Sequence, residues 1–181
     1  MKVCVFCASA AGLPDAYEQA AQAVGRGLGE RGWGLVFGGF ETGLMGTVAR
    51  SAREAGASVI GVLPCKATQM PNRPVFACNE LIEATGMADR KSQMNSRSDA
   101  FIALPGSFGT LDEFYTVLSE QKLMGGCKPI VLLNVDGFYD PLAVLDARMI
   151  RDGFMRLDGA ELYAVCSTVD EAFAYIAQRS E

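Results

Sequence analysis

The sequence predicts an α/β fold, read as one doubly wound domain over residues 1–181 with a mostly parallel sheet covered by helices on both faces. Short apolar runs alternate with longer stretches of helical character, and Gly, Pro or a capping residue marks each change. The strand-like runs are also too apolar to leave one face in water, as expected of parallel strands flanked by helices.

Taken in order, the first strand is expected at Val3–Cys7 and the first helix at Pro14–Glu30, with Pro14 and Asp15 at its start and Gly32 just past its end. A strand at Gly34–Phe37 and a helix at Leu44–Ala55 follow, then a strand at Ser58–Leu63. The segment Pro64–Glu83 carries Pro64, Pro71 and Pro74, is the least regular, and reads as a loop that can lie over a site. Beyond it come a helix at Met87–Ser96, a strand at Ala100–Leu104, a helix at Thr110–Met124 and a strand at Ile130–Asn134. Helices at Pro141–Asp152 and Val169–Arg179 complete the series. No repeat, low-complexity tract or linker divides the chain. The pattern is Rossmann-like, and such sheets bind ligands at the carboxyl ends of their strands.

Sixteen Lys and Arg stand against 21 Asp and Glu, a formal charge of -5, so no global field draws the chain to nucleic acid or to an anionic membrane. A bound anion must be held locally. The absence of His removes Ser-His-Asp and Cys-His catalysis, His-ligated metal and imidazole acid–base chemistry. The six Cys include one C-x-x-C pair, Cys4 and Cys7, with no second pair to complete a four-thiolate zinc site. These two lie in a strand-like run and point to opposite sides of it. The thiols are expected buried and reduced, which favours a cytoplasmic setting. The N-terminus faintly imitates a signal peptide but is better explained as a buried first strand, and no stretch reaches the roughly 18 apolar residues of a membrane span.

Three strand-to-helix loops are unusual. Cys7-Ala8-Ser9-Ala10-Ala11-Gly12 offers small residues and one hydroxyl, which suit either a ligand approaching the backbone or a plain turn. Gly38-Gly39-Phe40-Glu41-Thr42-Gly43-Leu44-Met45-Gly46 opens into a helix whose free N–H groups suit an anion, although neither G-x-G-x-x-G nor a P-loop is present and a tight turn is the alternative. The strongest loop is Leu104-Pro105-Gly106-Ser107-Phe108-Gly109-Thr110-Leu111-Asp112-Glu113, where Gly106, Gly109 and the hydroxyls of Ser107 and Thr110 can ring a phosphate. Glu113, expected in the first helical turn, either caps the helix or sits beside a bound phosphate, where a carboxylate can hydrogen-bond sugar hydroxyls or support positive charge on a sugar ring. Arg90 and Lys91 lie upstream, on a solvated face or in contact with this loop through the fold or a second subunit.

In order and spacing these pieces resemble the Lonely Guy (LOG) family, phosphoribohydrolases of cytokinin riboside 5'-monophosphates often misnamed lysine decarboxylases. The resemblance spans nearly the whole chain. It rests on Cys4-Val5-Phe6-Cys7-Ala8-Ser9, Gly43-Leu44-Met45-Gly46, Met87-Ala88-Asp89-Arg90-Lys91, the run Ser98 to Gly106, and Lys128-Pro129-Ile130 through Tyr139. The family hallmark P-G-G-x-G-T-x-x-E falls on Pro105, Gly106, Gly109, Thr110 and Glu113.

The resemblance implies that Arg90 and Glu113 are catalytic. It implies substrate binding by Ser9, Gly43, Met45, Met87, Lys91, Leu104, Pro105, Gly106, Ser107, Phe108, Gly109, Thr110 and Asp112. It further implies a homodimer with sites near the interface, a nucleoside 5'-monophosphate as substrate, hydrolysis of its N-glycosidic bond, and neither metal nor organic cofactor. A nucleotide or cofactor carrier on the same scaffold is the alternative. No Lys has a motif supporting a Schiff base, so pyridoxal-phosphate chemistry finds no anchor.

The chain departs from the family pattern at five places. Ser107 replaces a Gly, at a cost on the order of 1 kcal/mol if that position needs φ > 0. Phe40 replaces a Gly, Glu120-Gln121-Lys122 replaces W-x-Q, Met70-Pro71-Asn72-Arg73 lacks an acidic residue after Met-Pro, and Ala88 replaces a His.

Overall fold

The structure is a computed structural model that describes residues 1–67, 73–155 and 163–180. Seven parallel strands form one sheet: β1 (Lys2–Phe6), β2 (Gly34–Phe37), β3 (Val59–Leu63), β4 (Glu80–Glu83), β5 (Ala100–Ala103), β6 (Ile130–Leu133) and β7 (Ala164–Cys166). Their spatial order is β4-β3-β2-β1-β5-β6-β7. The helices described between and after them are α1 (Asp15–Glu30), α2 (Gly43–Glu54), α3 (Met87–Ser96), α4 (Phe108–Met124), α5 (Asp140–Arg151) and α6 (Val169–Arg179).

Alternation along β1 divides the core. Val3, Val5 and, just past the strand, Cys7 join one buried cluster with α1, α2 and α6, through residues such as Val24, Val48 and Phe173. Cys4 and Phe6 join the other with α3 and α4, through Met94, Phe114 and Val117, and Leu142 of α5 packs against it. Both faces are therefore covered, which is why the central strands are apolar throughout. Glycines allow α1 to lie close on α2: a Cβ at Gly25 would stand 2.4 Å from the Val48 carbonyl oxygen, and one at Gly29 2.4 Å from that of Ala55.

The chain differs from the expected elements mainly at the sheet edges. The Pro64–Glu83 segment contains β4, largely exposed and reading Glu-Leu-Ile-Glu, and β7 is a three-residue strand at the other edge. Edge strands bury less surface, so β4 carries charged residues at both ends instead of an unbroken apolar run, and β7 is too short to stand out although its three residues are apolar. The thiols also divide: Cys4, Cys7 and Cys166 are buried, whereas Cys65 and Cys127 are exposed, which corrects the expectation of uniformly buried cysteines. All six are free. Among the described residues no helix is long and apolar enough to cross a membrane.

From β1 the chain winds outward through β2 and β3 to β4, then returns to β5 and winds the other way. The reversal point therefore lies between β1 and β5. The loops leaving these strands stay in touch, with the Ala8 N–H donating to the Pro105 carbonyl at 3.3 Å and the Leu104 N–H to that of Phe6 at 2.9 Å. A crevice at such a point is the usual ligand position in open α/β sheets.

Candidate active site

Arg90 and Glu113 meet in the interior. Arg90 lies on α3 at 5% exposure, and its Nη1 donates to Glu113 Oε1 at 2.5 Å. Its Nε donates to the Val62 carbonyl at 2.9 Å and its Nη2 to the Gly38 carbonyl at 3.4 Å. Gly38 makes room for this fork, because a Cβ there would fall 2.7 Å from Nη2. The guanidinium is thus held by a carboxylate and by backbone oxygens at the ends of β2 and β3. Planar donors in a rigid fork suit such a three-way arrangement.

Glu113 stands in the second turn of α4, since the helix begins at Phe108, two residues earlier than expected. It therefore does not cap the helix. It follows Thr110 by three residues, which places both side chains on one helical face. Burial pushes the Glu113 carboxyl above the ordinary range, with the Arg90 charge opposing the rise. Ser107 is the N-cap residue with φ −96° and ψ −158°, an extended conformation open to any residue, so this departure from glycine carries no left-handed strain. Its hydroxyl makes no capping hydrogen bond. The first N–H groups of a helix have no partner within it, and at this end the helix dipole is positive.

A cavity of about 280 Å³ joins these features. Of the residues singled out from the sequence, Arg90, Glu113, Ser9, Met45, Met87, Ser107, Gly109, Thr110 and Asp112 line it. The others stand behind or beside the wall. Leu104 is fully buried and its carbonyl accepts the Tyr139 hydroxyl at 2.8 Å, while the Pro105 carbonyl joins the β1 and β5 loops. At Gly106 a Cβ would fall 2.0 Å from Thr110 Oγ1, so this glycine lets the loop close on the helix. Gly43, with φ +54°, packs against the Ala10 carbonyl. Lys91 binds Asp112 at 2.9 Å and Thr116 at 3.0 Å, and Phe108 is 91% exposed.

Cys7, Ala8, Phe40, Pro64 and Arg73 also line the cavity; the first three lie in loops read from the sequence as suited to a ligand and the last two in the segment read as able to lie over a site, although none was singled out as a binding residue. Phe40 and Arg73 carried a signal of another kind, as departures from the family pattern. Of the remaining departures, Ala88 and Glu120 are exposed and do not line the cavity, and Met70–Asn72 lie outside the described residues. A larger groove of about 720 Å³ between α1 and α2 is lined by exposed charges of both signs, including Arg26, Glu30, Arg50 and Glu54, and contains no buried ionisable pair. Among the described residues no group of three or more His, Cys, Asp or Glu can hold a metal ion.

A doubly wound parallel sheet with a cavity at its reversal point, floored by a buried ion pair and flanked by a helix N-terminus, defines a Rossmann-like α/β ligand-binding protein. A family model described as "Possible lysine decarboxylase" matches residues 45–176. The cytokinin riboside 5'-monophosphate phosphoribohydrolase LOG of Oryza sativa subsp. japonica is 40% identical over 172 residues, covering 94% of this chain and 70% of the rice protein. The chain belongs to this LOG family.

Two solved structures are similar in fold. The molybdenum cofactor binding protein of Rippkaea orientalis superposes with a TM-score of 0.73 at 23% identity, over 98% of this chain and 95% of that one. The molybdenum cofactor carrier protein of Chlamydomonas reinhardtii gives 0.72 at 26% identity, over 98% and 96%.

Proposed function

We propose that the protein is a nucleoside 5'-monophosphate phosphoribohydrolase, cleaving the N-glycosidic bond of a purine or cytokinin-type nucleotide to free base and ribose 5-phosphate. The observation that carries this reading is the buried Arg90–Glu113 pair, set in a cavity beside the uncapped start of α4.

The N–H groups and hydroxyls of Ser107, Gly109 and Thr110, with Ser9 opposite, hold the 5'-phosphate. Glu113 accepts hydrogen bonds from the ribose hydroxyls and stabilises the positive charge that grows on the sugar as the bond to the base lengthens. Stabilisation of developing charge in a water-poor site acts on the transition state more than on the bound substrate. Arg90 orients that carboxylate and the ribose. Water then attacks C1' as the C1'–N bond breaks, the bonding pair stays on the base nitrogen, and the proton lost by water balances the one the base gains.

Glu113→Gln keeps the shape of the site and removes its charge, so nucleotide binding should survive while base release falls by a factor of about 100 or more. Chromatography of base and ribose 5-phosphate from AMP and N6-isopentenyl-AMP measures this, and full turnover by the variant would refute the assignment. The protein is further proposed to act as one domain, as a homodimer and in the cytoplasm. A carrier role is the second reading, favoured by the likeness to cofactor-binding proteins, and nucleotide binding without base release from any monophosphate would support it. A Schiff-base enzyme is not supported, because among the described residues no Lys lines the cavity.

A further inference from the structure

The cavity wall also holds a cation whose charge the proposed hydrolysis does not use. Phe40 and Arg73, residues 33 positions apart, meet there, with the Arg73 guanidinium 5.6 Å from the centroid of the Phe40 ring. The ring is buried, packed on Leu63 and Ala67. Residues 74–76 tie the Arg73 backbone to the loop after β2: the Glu41 N–H donates to the Pro74 carbonyl at 2.8 Å, Phe40 and Val75 form an antiparallel bridge, and the Phe76 N–H donates to the Gly39 carbonyl at 2.9 Å. Among the described residues no carboxylate lies within ion-pair distance of Arg73. Arg73 is exposed, and an exposed cation resting near an aromatic face with no counter-charge among the described residues is available to a ligand.

This inference rests on the reading of the cavity as a nucleotide site. With the phosphate at the start of α4 and the ribose at Arg90 and Glu113, the base extends toward Phe40, Pro64 and Arg73. We propose that Arg73, seated on Phe40, determines base specificity, favouring a purine with an oxygen at position 6 over one bearing an N6-alkyl amine. A guanidinium only donates hydrogen bonds. It matches the paired acceptors O6 and N7 of a 6-oxopurine, as Arg does when it reads guanine. The 6-amino group of adenine presents a donor instead, and an apolar N6 substituent would strip water from the charge without replacing it. Recognition thus departs from the cytokinin nucleotides named for the rice relative while the cleavage chemistry is kept.

The test measures equilibrium binding and kcat/KM for IMP, AMP and N6-isopentenyl-AMP with the full chain, Arg73→Leu and Arg73→Lys. The wild type should rank IMP first and N6-isopentenyl-AMP last. Arg73→Leu should shift the IMP to N6-isopentenyl-AMP ratio by roughly tenfold or more toward the alkylated nucleotide, with Arg73→Lys between, since a good bidentate base contact discriminates by about that much. An unchanged ratio, or an equal loss on all three nucleotides, overturns the proposal. Selective binding without base release would refute the hydrolase reading and leave this proposal standing; failure of every nucleotide to bind refutes both.

Discussion

Replacing Arg90 by Ala removes the cation in direct contact with the buried Glu113 carboxylate and takes hydrogen-bond donors from the Val62 and Gly38 carbonyls. The carbonyl part of the loss does not depend on pH and is about 1–3 kcal/mol for each group left unsatisfied. The carboxylate part does. Burial already raises the Glu113 pKa in the folded protein, and removing Arg90 takes away the largest influence opposing that rise. The variant therefore holds its proton to higher pH when folded than when unfolded, where an ordinary Glu titrates near ~4.3.

A group of that kind makes the folded state progressively less stable as pH climbs from the unfolded value through the folded one, by about 1.4 kcal/mol per unit. Breaking a buried pair from one side costs about 3–5 kcal/mol near neutral pH. The Arg90→Ala deficit should accordingly shrink by about 1–2 kcal/mol between pH 7.5 and pH 5. Urea denaturation at one protein concentration, with wild type, Arg90→Ala and Arg90→Ala/Glu113→Gln at both pH values, reads this directly. The double variant has no carboxyl at this position, so its own stability should change less between the two pH values than that of Arg90→Ala. A pH-independent deficit in the single variant would refute the reasoning.

Gly12 and Gly43 both have positive φ, +72° and +54°, but a Cβ at Gly12 meets nothing within 4 Å, whereas at Gly43 it would stand 2.2 Å from the Ala10 carbonyl oxygen. Gly12→Ala should therefore lower stability by about 1 kcal/mol from backbone strain alone, and Gly43→Ala by about 2–5 kcal/mol with the overlap added; equal losses on denaturation would contradict the packing of the two loops. Thiol titration of the native protein should modify Cys65 and Cys127 quickly and reach Cys4 and Cys7 only on unfolding, since those two thiols are buried and burial pushes their pKa values upward. Rapid native modification of Cys4 would contradict the placement of β1 in the sheet interior.

The central strands were legible because each is buried on two faces and must be apolar at every position, as Val3–Phe6 and Ala100–Ala103 are. That signal fades toward the edges, where Glu80 and Glu83 sit on β4 without penalty. The start of α4 was misplaced because Phe108 and Gly109 are poor helix formers by propensity, and a loop-to-helix transition is set by closure of Gly106 over Thr110 rather than by residue type. The Arg90–Glu113 contact joins two helices on either side of β5 in the chain, and the sequence placed both residues near that strand without fixing that they touch. Arg73 reaches the cavity only through pairing of residues 74–76 with 39–41, a long-range backbone contact for which neither segment has a local signature.

Two of the three groups that hold the Arg90 guanidinium are main-chain oxygens. A peptide carbonyl is chemically the same whichever side chain its residue carries, so replacements at Val62 that keep β3 in register leave that acceptor in place. The rim is built the other way, from the side chains of Phe40 and Arg73, either of which a single codon can rewrite. The scaffold thus insulates its charged centre from mutational drift while leaving the periphery free to vary, and lineages sharing this sheet can exchange ligands without rebuilding the position of the guanidinium.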